Sequence, residues 1–285
     1  MLYLLLTIAS SFFIGNILKL ASIRGHDTTV IIAANYIFAA ILGFVWWWQS
    51  GGSSVSSLTI MMGVGGGILW PGAFFVYVWG LAKFGVSISG TLSRLALIVP
   101  VLFGLIFLRE PLTLFLLLGL LFTVLAFYFL SPAIDNEDAD SLSSASFWLF
   151  ILLLIGSFGM VLLWSNLFTT FGNLAENTLF LIGVFAWSIP FAWFYVWWKK
   201  LAVTKSAVFF GLLVGIPNFL ATYGILNALQ STDFIGRSAI AYTLQGGANA
   251  LLIFLAGAFF WRESVQARNY LGLLFALSAI ICLNL

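Results

Sequence analysis

Ten stretches of this chain are each long enough to cross a lipid bilayer and nearly free of charge, and they decide what it can fold into. They run over residues 2–20, 29–49, 58–82, 85–107, 112–131, 147–170, 178–198, 207–229, 236–260 and 267–285. A transmembrane helix needs roughly 20 consecutive apolar residues to match the hydrocarbon thickness. The runs are continuous rather than alternating, which favours helices over the strands of a barrel. Of the 285 residues, 62% are hydrophobic and 7% charged, against about a quarter charged in a soluble domain. Such a chain has too little polar surface to face water. The expected fold class is therefore an all-α integral membrane protein with about ten transmembrane helices. The N-terminus is apolar at once and lacks the basic n-region of a signal peptide, so it reads as a spanning helix that stays.

Several function classes fall away on composition. The net charge of +2 gives no electrostatic footprint for nucleic acid. The single cysteine, Cys282, leaves no internal disulfide to form. His26 is the one histidine and sits in a polar loop, where it reads as solvated rather than as a metal ligand. No cofactor and no metal are expected, and the expected partners are a small-molecule substrate and the lipid bilayer.

The longest polar connection, SPAIDNEDADSLSSAS, lies at the midpoint. It separates two halves of five spans each. The expected organisation is a first repeat over 1–131, an acidic linker over 132–146 and a second repeat over 147–285. Two matches support a duplication. FLREPLTLFLLLGLLFTV at 107–124 aligns without gaps with FWRESVQARNYLGLLFAL at 260–277, so that Arg109-Glu110 falls on Arg262-Glu263 and Gly119 on Gly272. GVGGGI at 63–68 matches GLLVGI at 211–216, each with Gly-xxx-Gly spacing and a proline soon after, Pro71 and Pro217. An odd number of spans per repeat inverts the second half relative to the first. Inverted repeats are the hallmark of secondary transporters with a substrate site near the midplane.

The five-plus-five spans, the Arg-Glu turn before the last helix of each half and the glycine that follows it resemble the drug/metabolite transporter superfamily, in its ten-helix EamA-type branch. The resemblance covers the whole chain and speaks to fold more than to substrate. It implies a small-molecule carrier in a cell membrane (inner or plasma), multi-pass, and not an enzyme. The small four-helix relatives carry a glutamate in their first helix. Here that helix offers Ser10, Ser11, Asn16 and Lys19 instead, which argues against exchange of a cationic drug for a proton.

Charge near the span ends orients the chain. Lys19, Arg24, Lys83, Lys199, Lys200, Lys205, Arg262 and Arg268 lie on the side of the odd-numbered loops, against Arg109 and Arg237 on the other. The positive-inside rule then puts both termini on the non-cytoplasmic side.

All nine acidic residues fall in or beside loops, and none is mid-span. Arg94, by contrast, sits about ten residues into the fourth run, roughly 15 Å along a helix. A cation at such depth costs at least about 2.5 kcal/mol on insertion scales. Lys83, Ser87, Gly90, Thr91 and Arg94 form one stripe at helical spacing. Arg94 is expected to contact an anionic or polar part of a substrate, the alternative being a structural arginine that bonds helix carbonyls or snorkels to water. On the ninth span Ser238, Tyr242, Gln245 and Asn249 share a face, and the eighth adds Asn218, Thr222 and Tyr223. The expected substrate-binding set is Arg94, Thr91, Asn218, Tyr242, Gln245 and Asn249. The plainer reading of each amide is a bond to a neighbouring helix, worth about 0.6 kcal/mol on average. Asn35, Tyr36, Trp70, Tyr77, Trp164 and Asn166 are weaker candidates.

The remaining signals are architectural. Trp46 to Trp48 and Trp197-Trp198 sit at span ends, where interfacial belts place aromatics. The Gly-xxx-Gly pairs are expected to allow close helix contact. Pro71, Pro100, Pro190 and Pro217 are placed to kink helices and so to act as hinges. Pro111 reads as a helix start, with Glu110 and Glu263 complementing the dipole there. The expected activity is transport of a small polar or anionic organic metabolite by alternating access. A polytopic membrane enzyme or lipid-handling protein is the alternative.

Overall fold

The computed structural model describes residues 1–52, 55–130, 145–262 and 266–284, and only the backbone of 81, 82, 85–88, 90 and 91. Among the described residues there are ten α-helices: α1 Leu2–Ile23, α2 Thr28–Gln49, α3 Ser57–Leu95, α4 Ile98–Ile106, α5 Leu114–Leu130, α6 Ala145–Phe171, α7 Asn177–Trp198, α8 Lys205–Leu229, α9 Ser238–Phe259 and α10 Ala267–Leu283. Seven helical stretches are long and apolar enough to span a membrane, and Leu92–Ile106, Leu114–Leu130 and Ala267–Leu283 are shorter apolar helices. The protein is thus a helical, multi-pass membrane protein. The most apolar stretch, α6, is only 17% buried within the protein, and an outward face of that kind is stable against lipid, not water.

The third and fourth runs join differently from expectation. Helical turns run from one into the other, so that α3 covers 39 residues, though not along one straight axis. Ser89 Oγ lies 3.0 Å from where a Cβ on Gly80 would stand, although nine residues of straight helix would separate the two by about 13.5 Å. The chain therefore doubles back between them. The fourth run is then interrupted at Ala96 and Leu97, between α3 and α4. The cause is Pro100. It has no N–H to give the Ala96 carbonyl, and its ring crowds that carbonyl. Val99 N–H donates to Ala96 O instead (3.1 Å), and Leu97 N–H reaches back to Arg94 O at 3.5 Å. Pro71, Pro190 and Pro217 remain inside continuous helices, so of the four expected kinks only Pro100 accompanies a break.

The chain divides into two compact units, one of Met1–Gly72 with Trp164–Asp233, the other of Ala73–Leu163 with Phe234–Leu285. Each unit draws helices from both halves of the sequence. The boundaries fall inside α3, beside Pro71, and inside α6. Of the acidic linker expected over 132–146, residues 132–144 lie outside the described residues.

In the first unit, α8 packs on α1 and α2, and α2 on α7. The Gly-xxx-Gly pairs do what their spacing predicts. A Cβ on Gly63 would stand 3.1 Å from Gly183 Cα, and Gly67 lies against Trp187. Gly211 and Gly215 stack in the same four-residue step on α2, where Cβ atoms would stand 2.9 Å from Ile31 O and 3.0 Å from Asn35 O. A parallel stack of Phe168 on Phe180, centroids 4.0 Å apart, fills the core beneath.

The second unit is held by α5 against α10, with α9 on both. Its contacts are reciprocal. A Cβ on Gly119 would stand 2.5 Å from Leu283 Cγ, and one on Gly272 would stand 2.7 Å from Leu130 Cγ. The two Arg-Glu turns also match. Arg109 and Arg262 both adopt left-handed backbone, with φ of 53° and 52°. Leu108 N–H donates to Phe103 O and Trp261 N–H to Ala256 O, the same bond at the same place in each turn.

Two expectations about helix starts need correction. Helix α5 begins at Leu114 rather than at Pro111, and its cap is Thr113, whose hydroxyl accepts from Leu116 N–H at 3.1 Å. Glu110 does complement a helix dipole, but the start it caps is that of α9. Its Oε1 accepts from Ser238 N–H (2.8 Å) and Oγ–H (2.6 Å), and its Oε2 from Ala239 N–H (2.9 Å). Glu263 lies outside the described residues.

Candidate functional site

The break after Arg94 lies within the second unit and is packed by small residues of two neighbouring helices. Arg94 is half-buried in the last turn of α3, where its charge complements the carbonyl end of the helix. Tyr77 lies within electrostatic reach of it. Tyr77 is held in turn by an edge-on contact with Phe158 of α6, centroids 6.0 Å apart.

Two helices press glycines onto the break. On α6 a Cβ at Gly159 would overlap Val99 and stand 3.2 Å from the Ala96 carbonyl oxygen. On α9 a Cβ at Gly246 would stand 2.5 Å from Leu97 Cδ2. These positions admit the interrupted backbone because they carry no side chain. Leu97 lies just past Arg94 in the chain, and Gly246 directly follows Gln245, so helix α9 meets the fourth run at its discontinuity.

The polar stripe on α9 divides by role. Tyr242 is 2% exposed and donates its hydroxyl to the Leu162 carbonyl of α6 at 3.0 Å. It therefore pins two helices together. Gln245 and Asn249 are half-buried. The Oδ1 of Asn249 is buried and accepts no hydrogen bond among the described residues, as is true of Ser89 Oγ and Thr123 Oγ1 in the same unit. An unpaired buried acceptor costs about 1–3 kcal/mol. Thr123 adjoins the α9 glycines: its Oγ1 stands 3.3 Å from a Cβ built on Gly247.

Asn218 belongs to the other unit and is already engaged. Its Nδ2 donates to Asn35 Oδ1 at 2.7 Å, and Asn35 Nδ2 donates to Ile32 O at 2.8 Å. This is the helix-to-helix amide bond of the plainer reading. Thr222 Oγ–H turns back on the Asn218 carbonyl at 3.0 Å, and Trp164 donates Nε1–H to Met62 O at 2.8 Å. The side chain of Thr91 lies outside the described residues. Of the six residues expected from sequence, Arg94 ends the helix at the break, Tyr242 ties α9 to α6, Gln245 and Asn249 lie on the same helix α9, and Asn218 belongs to the other unit. Sequence reasoning missed Ser89, Thr123 and Gly159. The signal for the break itself was present: Pro100, six residues after Arg94.

Comparison with known proteins adds fold, not activity. No family model matches the chain. A protein of Haemophilus influenzae described only as an "Uncharacterized protein" is 25% identical over 221 residues, 76% of this chain and 72% of the relative. A solved structure described as "Crystal structure of protein" superposes with a TM-score of 0.76 over 99% of this chain and 98% of its own, at 14% identity.

Proposed function

We propose that the protein is a secondary-type transporter of the ten-helix drug/metabolite transporter kind, moving a small polar or anionic organic metabolite by alternating access. The observation that carries this reading is the interrupted fourth run, with Arg94 at the carbonyl end of its first segment. Discontinuous helices are how transporters bring polar backbone to membrane depth, and such backbone is tolerated where it is packed in protein or lines a cavity. Arg94 supplies a planar donor fork suited to carboxylate or phosphate. Gln245 and the unpaired acceptor of Asn249 supply uncharged partners. Tyr242 and the glycines hold the surrounding helices close.

The reciprocal contacts of Gly119 with Leu283 and Gly272 with Leu130, together with the matched Arg-Glu turns, support two inverted five-span repeats. Under that reading the seven long and three shorter apolar helices make ten spans, and both termini are non-cytoplasmic.

The test is thermal stability of the detergent-purified protein against anionic, zwitterionic, neutral and cationic metabolites, with Arg94→Ala alongside. A ligand at 100 times its Kd adds about 2.7 kcal/mol. Stabilisation by an anionic or zwitterionic class, lost in Arg94→Ala, is the expected result, followed by flux of that class into liposomes. Stabilisation by cations alone, or equal shifts in both proteins, refutes the role given to Arg94. Accessibility tagging that counts seven or eight spans refutes the carrier architecture.

A further inference from the structure

A second feature lies wholly in the first unit, at the corner where α7 ends and α8 begins. A cavity of about 530 Å³ opens there, walled by Trp193, Val196, Leu201, Val203 and Trp197, with Lys200 at its edge. The volume is in the range of small-ligand pockets, about 300–1,000 Å³. Its floor is rigid. Val196 is 3% exposed, and Trp193 donates Nε1–H to Ala33 O of α2 at 3.1 Å. Its rim is outward-facing and aromatic, with Trp197 73% and Trp198 63% exposed.

The connection between α7 and α8 carries charge of one sign, while Asp27 in the neighbouring α1–α2 turn is occupied in capping α2. Lys199, Lys200 and Lys205 fall within seven residues of chain that contain no carboxylate. Among the described residues the one ion pair is between the Met1 amino group and Asp233, so none of these lysines is neutralised by a salt bridge. Lys199 rests its Nζ 5.0 Å from the Trp198 ring. Lys205 opens α8, where the positive end of the helix dipole disfavours a cation. The turn between α1 and α2 adds charge beside them, with the Arg24 guanidinium 5.8 Å over the ring of Phe210, in the second turn of α8.

Helix α7 ends in a Schellman turn: Leu201 N–H donates to Val196 O and Lys200 N–H to Trp197 O, both at 3.0 Å. The residue in left-handed backbone in such a turn is usually glycine. Here it is Lys200, at φ 52°. A lysine holds this position at the cost of backbone strain that glycine would relieve, as arginines do at 109 and 262.

We infer that the α7–α8 corner is a binding site for an anionic phospholipid. The lysines take the phosphate and the apolar wall of Trp193, Val196 and Leu201 takes the upper acyl chain. A lipid fits better than a soluble anion because the wall is apolar and the exposed tryptophans sit at a span end, where the headgroup region begins. Basic pockets beside membrane helices recognise such headgroups.

The experiment is native mass spectrometry of the full-length protein in micelles doped with phosphatidylglycerol or phosphatidylcholine. Lys200→Gly and a Lys199→Gln/Lys200→Gln/Lys205→Gln triple variant are measured in parallel. Wild type retains phosphatidylglycerol over phosphatidylcholine at least about tenfold, equivalent to about 1.4 kcal/mol. Both variants lose most of that preference. Lys200→Gly keeps or raises thermal stability in lipid-free detergent, which separates binding from folding and decides the matter if the triple variant fails to fold. Unchanged preference in Lys200→Gly overturns the inference. So does displacement of the lipid by equimolar glycerol phosphate, which would mark a site for a soluble anion.

Discussion

Replacing Glu110 by alanine is expected to be among the most damaging single changes outside the apolar core. The carboxylate is 7% exposed, and the α9 start that it caps is equally closed, with Ser238 at 5% and Ala239 at 0%. Water has no room to take over. Truncation removes the shared acceptor of three donors: the Ser238 N–H, the Ser238 hydroxyl and the Ala239 N–H. Each buried unsatisfied donor costs about 1–3 kcal/mol, and loss of a helix cap alone about 1 kcal/mol. The donors are adjacent, so their costs do not add fully, and about 3 kcal/mol is the working figure. At about 2–4 °C per kcal/mol for a chain of this size, the melting temperature falls about 6–12 °C. Glu110→Gln keeps one acceptor oxygen but turns an amide NH₂ toward a backbone N–H, so it falls between wild type and alanine. Tryptophan-fluorescence melting in detergent measures the series. Asp233→Asn serves as the control, because that ion pair is about half exposed on both sides and such pairs contribute about 0–1 kcal/mol. If Glu110→Ala melts no lower than Asp233→Asn, the cap is not formed in solution and the argument fails.

Three further outcomes follow from the geometry. Gly211→Ala drives a methyl to 2.9 Å from the Ile31 carbonyl oxygen, a backbone atom that cannot rotate away, whereas Gly156→Ala meets nothing within 4 Å; the first should lose about 1–3 kcal/mol by overpacking and the second should melt no lower than wild type. Lys200→Gly relieves left-handed backbone and should gain up to about 1 kcal/mol in thermal melting. Asn218→Ala breaks one interhelical amide bond and should cost about 0.6 kcal/mol, at most about 1.7, with liposome flux retained; a loss of flux without a matching loss of stability would restore Asn218 to the substrate site.

Much of this molecule was legible in one dimension. The membrane class follows from apolar runs, because lipid leaves a backbone no partner but itself and so forces each run into a helix. The helix bounds followed closely for the same reason, as in α7, expected over 178–198 and found at Asn177–Trp198. The Gly-xxx-Gly pairs were readable because a missing side chain has one use on a helix face. What the sequence could not decide were the partners of residues far apart in the chain. Glu110 stands at the start of one helix in the sequence and caps another 128 residues on. Tyr242 and Gln245 share a stripe, yet one is fully buried and spent on the Leu162 carbonyl while the other is half-buried. Asn218 and Asn35, both candidates, satisfy each other. Helical spacing tells which side chains share a face, but only the packing of neighbouring helices determines what that face meets. The break at Ala96 lies between these cases. Pro100 made it possible locally, and the glycines of α6 and α9 gave the interrupted backbone room to stay.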